Sequence, residues 1–188
     1  MKILTGELRG RVIPFRPNPK LRPTADKTRK AMIDALAQVL PGRRVLDLFA
    51  GTGALGLEAL SSGAESAVFV ESDAATAGRL EEAVEALGLE DRADVLRLDA
   101  RDAVKYLAKG AGYFDIVFLD PPYEKGLGLE ALEAVSAAGL VGPGAVVVYE
   151  CASGEKAPAQ AGILRAVRRK EYEDTRVTFY QVPEKGED

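Results

Sequence analysis

From residue 44 onward the chain alternates between two hydrophobic periods. Short apolar runs at 45–48, 67–71, 94–98, 114–119 and 145–149 are separated by stretches at 54–62, 74–87, 102–107 and 129–138. In the longer stretches, apolar positions recur every three or four residues. The short runs, bounded by glycine, proline or acidic residues, predict strands, and the amphipathic stretches predict helices. Continuously apolar strands alternating with helices predict an α/β fold with a parallel sheet covered on both faces. Ligands in such sheets lie beyond the carboxyl ends of the strands.

Both ends of the chain depart from this alternation. Residues 3–5 and 11–15 read as short strands joined through Gly6-Glu7-Leu8-Arg9-Gly10, a hairpin that presents Arg9 and Arg11 at its tip. Residues 16–23 contain three prolines and read as extended, carrying Lys20 and Arg22. Thr24 is placed to cap a helix over 25–40, with Ala31, Met32, Ala35, Leu36 and Val39 at helical spacing. Lys27, Arg29 and Lys30 form its other face. At the far end, 163–171 and 176–182 predict an antiparallel hairpin on the sheet edge. The expectation is one domain over 1–188: a basic N-terminal hairpin and arm (1–23) and a core (24–188) whose mostly parallel sheet has seven strands.

Composition narrows the chemistry. The 188 residues include one cysteine, Cys151, and no histidine, which excludes disulfides, cysteine clusters, imidazole bases and most zinc sites, so no metal is expected. No apolar run is long enough to span a bilayer, so the expected location is the cytoplasm. The net charge is −4, but residues 1–44 hold 11 Lys+Arg against 3 Asp+Glu, and the remainder 14 against 26. A basic arm on an acidic body is what a nucleic-acid partner would meet locally, because screening confines each charge to about 10 Å.

The candidate chemistry lies at two strand ends. Asp120-Pro121-Pro122-Tyr123 follows an apolar strand, and neither proline can donate to a ladder. A carboxylate, backbone carbonyls and an aromatic face on a rigid turn suit a planar ring bearing an exocyclic amine. Two acceptors on the amine hydrogens favour a pyramidal nitrogen and aim its lone pair. Taken alone, the tetrapeptide suits a strand stop with a core tyrosine equally well. Gly51-Thr52-Gly53-Ala54-Leu55-Gly56 follows the first core strand and opens a helix, with Glu71 twenty residues after Gly51. That spacing fits dinucleotides and S-adenosylmethionine alike. Asp47, four residues before Gly51, separates them: a carboxylate at the pocket mouth repels a pyrophosphate and favours an ammonium and a sulfonium.

Val45-Leu-Asp47-Leu-Phe-Ala-Gly51-Thr-Gly53 resembles the first motif of class I S-adenosylmethionine-dependent methyltransferases, and Asp120-Pro-Pro-Tyr123 is similar to the catalytic motif of the amino-group methyltransferases among them. Gly6 with Arg9-Gly10-Arg11, the segment Leu21-Arg22-Pro23-Thr24-x-Asp26, and residues 49–60 resemble the RsmD family, bacterial methyltransferases of small-subunit ribosomal RNA. The resemblance implies a Rossmann-like class I methyltransferase fold and methylation of the 2-amino group of one guanine in small-subunit ribosomal RNA, within an assembled or assembling particle. It implies catalysis by Asp120, Pro121, Pro122 and Tyr123. It places S-adenosylmethionine among Thr24, Asp47, Phe49, Ala50, Gly51, Thr52, Gly53, Glu71, Ser72, Asp99, Ala100 and Asp120, with Asp47 and the Gly51 loop on the methionine end, Glu71 on the ribose and Asp99 on the adenine. Arg9, Arg11, Lys20 and Arg22 are the expected RNA contacts. Lys30 departs from the family, which more often has an acid there. The competing readings are transfer to the 6-amino group of adenine in DNA or RNA, a nicotinamide-dependent oxidoreductase, and a non-catalytic RNA-binding assembly factor.

Overall fold

The computed structural model describes residues 1–13, 23–110, 112–122, 126–172 and 174–184, without the side chains of 23–25. The core strands are β1 (Arg44–Asp47), β2 (Ser66–Val70), β3 (Ala93–Leu96), β4 (Phe114–Leu119) and β5 (Val141–Ala152). These pair in parallel, and β6 (Gln160–Ala161), β7 (Leu164–Glu171) and β8 (Thr175–Gln181) add antiparallel in the order β3-β2-β1-β4-β5-β8-β7-β6. Strand order reverses at β1 and β4: the chain builds outward from β1 to β3, then returns to β4 and builds the other way. That reversal leaves a crevice above the carboxyl ends of β1 and β4.

Two cores flank the sheet. On one face α1 (Pro23–Leu36), α2 (Ala54–Ser61) and α3 (Ala74–Leu87) bury Met32, Ile33, Leu57, Leu60, Leu80 and Val84 against Val45, Phe69, Ile116 and Phe118. On the other, α4 (Ala100–Leu107) and α5 (Leu127–Ala137) bury Val104, Leu107, Leu132 and Val135 against Leu46, Val117, Val147 and Tyr149. Strands covered on both sides need apolar residues at consecutive positions, which is the pattern in the sequence.

The expected seven strands become eight, because the two-residue β6 pairs with β7 and is too short to show a period. β5 begins at Val141 rather than 145; a register irregularity between Phe114 and Ile116 absorbs the Gly142-Pro143-Gly144 turn signal inside the strand. α1 starts at Pro23, whose fixed φ suits the first helical position, so Thr24 stands inside the first turn and is not the residue before it. The helix also stops at Leu36, short of the expected residue 40. β3 ends at Leu96, and Asp99 is the N-cap of α4 instead of the end of a strand.

The N-terminal hairpin is present but reduced to a single bridge, Lys2 with Val12, supported by Ile3 N–H to Arg11 O at 3.0 Å and Ile13 N–H to Met1 O at 2.8 Å. The expected strand end at 14–15 and the extended stretch 16–22 lie outside the described residues. Ile3 and Ile13 are buried in the α1–α3 core. Glu58 of α2 ties the segment down by accepting from Leu4 N–H at 2.8 Å, Thr5 N–H at 3.0 Å and the Thr5 hydroxyl at 2.7 Å.

Candidate active site

The turn after β1 is built around its glycines. Gly53 caps α2 in the left-handed region, at φ 73°. Its added Cβ would stand 2.3 Å from Leu80 Cδ1, and at Gly56 a Cβ would stand 2.3 Å from the Phe69 ring. Gly56 therefore lets α2 lie against β2, and Gly53 turns the chain into the helix.

Above this turn and the end of β4 is a cavity of about 790 Å³. Of the expected cofactor residues it is lined by Asp47, Phe49, Ala50, Gly51, Thr52, Glu71, Ser72, Asp99, Ala100 and Asp120. Gly53 is not among them, since it is buried beneath the turn against Leu80. The side chain of Thr24 lies outside the described residues. Pro122 of the expected catalytic turn reaches the cavity and Pro121 is buried. Tyr123 lies outside the described residues, as do Lys20 and Arg22.

The acids hold the walls together. Asp47 accepts from Gly56 N–H at 3.0 Å and is buried. Burial, with Glu71 nearby, pushes its carboxyl up to about 7, against the N–H donors of Gly56 and Phe49, which lower it. Glu71 bridges the loop to the next element by accepting from Gly51 N–H at 2.9 Å and Asp73 N–H at 2.7 Å. Asp99 caps α4 by accepting from Asp102 N–H at 2.9 Å. Asp120 faces the open cavity, yet protein surrounds it closely. Desolvation, then Glu150 and Asp47, raise its carboxyl well above the usual carboxylate range.

Several lining residues were not anticipated. Arg29, expected with Lys27 and Lys30 on the face of α1 opposite its apolar positions, is buried: it pairs with Asp26 at 3.0 Å and Glu58 at 3.4 Å and reaches Met1 Sδ at 3.1 Å. Its positions three and four before Met32 and Ile33 place it on the apolar stripe, a signal the helical period contained. Glu150 of β5 and Glu130 of α5 also line the cavity, as does Arg101, which pairs with Glu130 at 2.9 Å.

Arg9 and Arg11 are exposed but stand away from the cavity. Their loop is bound at the far end of α2 by Leu8 N–H to Ser61 Oγ and Glu7 N–H to Ser61 O, and Arg11 reaches Ala86 O at the end of α3. From Ala54 beside the cavity to Ser61 is roughly 10 Å of helix.

The cavity's chemistry divides in two. Phe49, Leu98, Val104, Ala131 and Ala134 make an apolar part, and Asp47, Glu71, Asp99, Asp120, Glu130 and Glu150 bring six carboxylates to the lining against the two guanidinium groups of Arg29 and Arg101. Size and lining suit a molecule with a flat ring and a cationic end.

The family described as conserved hypothetical protein 95 matches residues 1–181. "Ribosomal RNA small subunit methyltransferase D" of Escherichia coli strain K12 is 36% identical over 150 residues, 80% of this chain and 74% of that protein. The solved structure of the Escherichia coli protein yhhF superimposes with a TM-score of 0.86 at 31% identity, covering 97% of this chain and 98% of that one. An RNA methyltransferase from Salinibacter ruber, solved with S-adenosyl-L-homocysteine, shares the fold with a TM-score of 0.63 at 19% identity, covering 92% of this chain and 97% of that one.

Proposed function

The chain belongs to the conserved hypothetical protein 95 family, the RsmD family its motifs resemble, and on that premise we propose that it methylates small-subunit ribosomal RNA with S-adenosylmethionine, on the 2-amino group of a guanine. The observation that carries this reading is the joining of an acid-lined cavity to the Asp120-Pro121-Pro122 corner at the strand-order reversal. S-adenosylmethionine, when bound, supplies an electrophilic methyl on a sulfonium. The residues fit it: the carboxylates offset a cation, and the apolar part beside Leu98 and Ala131 accepts an adenine.

Asp47, tied to Gly56 N–H, sets a negative charge on the cavity floor. Glu71 and Asp99 present carboxylate oxygens toward ribose and adenine while their backbone bonds fix them. Asp120 accepts a hydrogen of the target amine, and the Pro121 carbonyl accepts the other. The nitrogen lone pair is thereby turned toward the cavity. The base stacks on Tyr123, worth about 1 to 3 kcal/mol against an extrusion cost of a few kcal/mol, which favours an unpaired target. After transfer the nitrogen has gained a methyl and loses a proton to water. Asp120 orients and need not be a strong base.

Arg9 and Arg11 would meet phosphates only on a substrate wide enough to reach from the cavity to the far end of α2. That suits an assembled particle in which Lys20 and Arg22 contribute further contacts. The test is methyl transfer to small-subunit ribosomal RNA by the wild type and Asp120→Ala, beside calorimetric titration with S-adenosylmethionine and with NADH. The expected result is transfer lost by 100-fold or more in the variant with donor binding kept. Near-normal turnover by Asp120→Ala, or binding of NADH alone, would overturn the reading.

A further inference from the structure

We propose that the face of β7 carrying Arg165, Arg168 and Lys170 grips the phosphate backbone of the RNA whose base enters the cavity; this extends the functional reading above and depends on it. Strict alternation would place Arg165 with Val167 and Arg169 on one face, and Arg168 with Lys170 on the other. The ladder does not alternate strictly. Arg165 faces Gln181, Arg168 faces Phe179 and Lys170 faces Val177, with a bulge between Ala166 and Arg168 that leaves Val167 as the extra residue. The bulge therefore gathers the three cations on one face, about 6.6 Å from one to the next along the strand. Arg169 is turned to the other side, where it donates to Ala157 O at 2.9 Å.

Val177 and Phe179 belong to the α1–α3 core, which identifies the face. The guanidinium carbon of Arg168 lies 5.8 Å from the centroid of the Phe179 ring, a contact that holds the cation over the sheet while the residue as a whole stays exposed.

Two properties of the row suit a polyanion. Among the described residues, no carboxylate lies within ion-pair distance of Arg165, Arg168 or Lys170. Arg43, Arg92, Arg97, Arg101, Lys105 and Arg176 each have one. The row also leads to the cavity. Lys170 faces Val177, which faces Glu150 on the cavity wall, so Lys170 stands two strand spacings, about 10 Å, from Glu150. Asp120 follows Leu119, which pairs with Tyr149 beside Glu150, so Lys170 stands three strand spacings, about 14 Å, from Asp120, a span that a nucleotide and a lysine side chain bridge together. Charges on a near-edge strand can also serve only to prevent edge-to-edge pairing, and the experiment separates the two roles.

The experiment uses the full chain and a small-subunit ribosomal RNA transcript. RNA affinity is followed by fluorescence anisotropy across a salt series, and transfer kinetics are measured on particles lacking the methyl group. The variants are Arg165→Gln/Arg168→Gln/Lys170→Gln, and Arg165→Gln/Lys170→Gln, which keeps the Arg168 contact with Phe179. S-adenosylmethionine titration reports whether each variant is folded. The triple variant should bind RNA about tenfold more weakly near physiological salt, with the slope of log affinity against log salt shallower by about 2, and the double variant by about 1.4. KM for the particle should rise while donor affinity stays. Arg9→Ala/Arg11→Ala should change the transcript's slope less than the triple variant does. Wild-type transfer with unaltered slope and KM in the triple variant would overturn the surface alone, as would aggregation of that variant with unaltered affinity in its monomer. A wild type that binds donor but methylates no ribosomal RNA would overturn the functional reading itself.

Discussion

Asp47 meets two opposed demands, since a carboxylate useful to a cation must be charged and a buried carboxylate resists charge. Its proton affinity is held near pH 7, against about 3.8 for an ordinary aspartate. The folded state therefore binds a proton the unfolded chain has released, and stability falls as pH rises from about 4 through 7. The contribution is on the order of 4 kcal/mol by pH 8. A bound cation reverses that penalty, so S-adenosylmethionine should bind more tightly at pH 8 than at pH 6, a trend calorimetry reads directly. Asp47→Asn should raise the melting temperature of the ligand-free protein at pH 8, flatten that pH dependence and weaken donor binding about tenfold or more. Equal affinity of wild type and variant at both pH values would contradict this. Asp120 shifts in the same direction, so transfer should fall on acidification as it takes up a proton. The acids Asp47, Glu71 and Asp120 were legible in the sequence because each stands at or just past a strand end, where local chemistry fixes position, whereas Asp99 was expected to end a strand and instead caps α4. Glu150 and Glu130 were not, since their places depend on contacts across the sheet; the burial of Arg29 was readable from its helical spacing to Met32 and Ile33, but its partners Glu58 and Met1 were not.

Helix α2 shows the same contrast one scale up. Its bounds are those the periodicity predicts to within one residue, yet Glu58 in an otherwise apolar run is the anchor of a distant segment. The N–H groups of Leu4 and Thr5, the Thr5 hydroxyl and Arg29 all converge on it. Glu58→Ala strands a buried guanidinium and frees the hairpin, and should cost about 3 to 5 kcal/mol in denaturant unfolding. A loss under 1 kcal/mol would mean the hairpin is held by Ile3 and Ile13 alone. Gly56→Ala puts a methyl into the Phe69 ring and should cost about 1 to 3 kcal/mol. It should also weaken donor binding by displacing the N–H that Asp47 uses. The parallel strands and their helices could be read from period alone. The β7 bulge, the two-residue β6 and the early start of β5 could not, because they are set by pairing partners and by a glycine-proline turn signal that tertiary pairing overrides.

For the molecule as a whole, the strand-order reversal brings two chemistries to one place. In the proposed reaction the β1 turn would supply carboxylates for a cationic donor, and the β4 corner acceptors for an amine. The charge map adds a direction, with a basic row on β7 leading toward that place and a second basic loop at the far end of α2. Among the described residues no helix is long and apolar enough to cross a membrane. The measurement that tests the central claim most directly is transfer of a tritiated methyl from S-adenosylmethionine to small ribosomal subunits from cells lacking this protein, followed by digestion and nucleoside separation. The account predicts label in 2-methylguanosine from small-subunit RNA with the wild type and none with Asp120→Ala; label in 6-methyladenosine, or in no nucleoside at all, would contradict it.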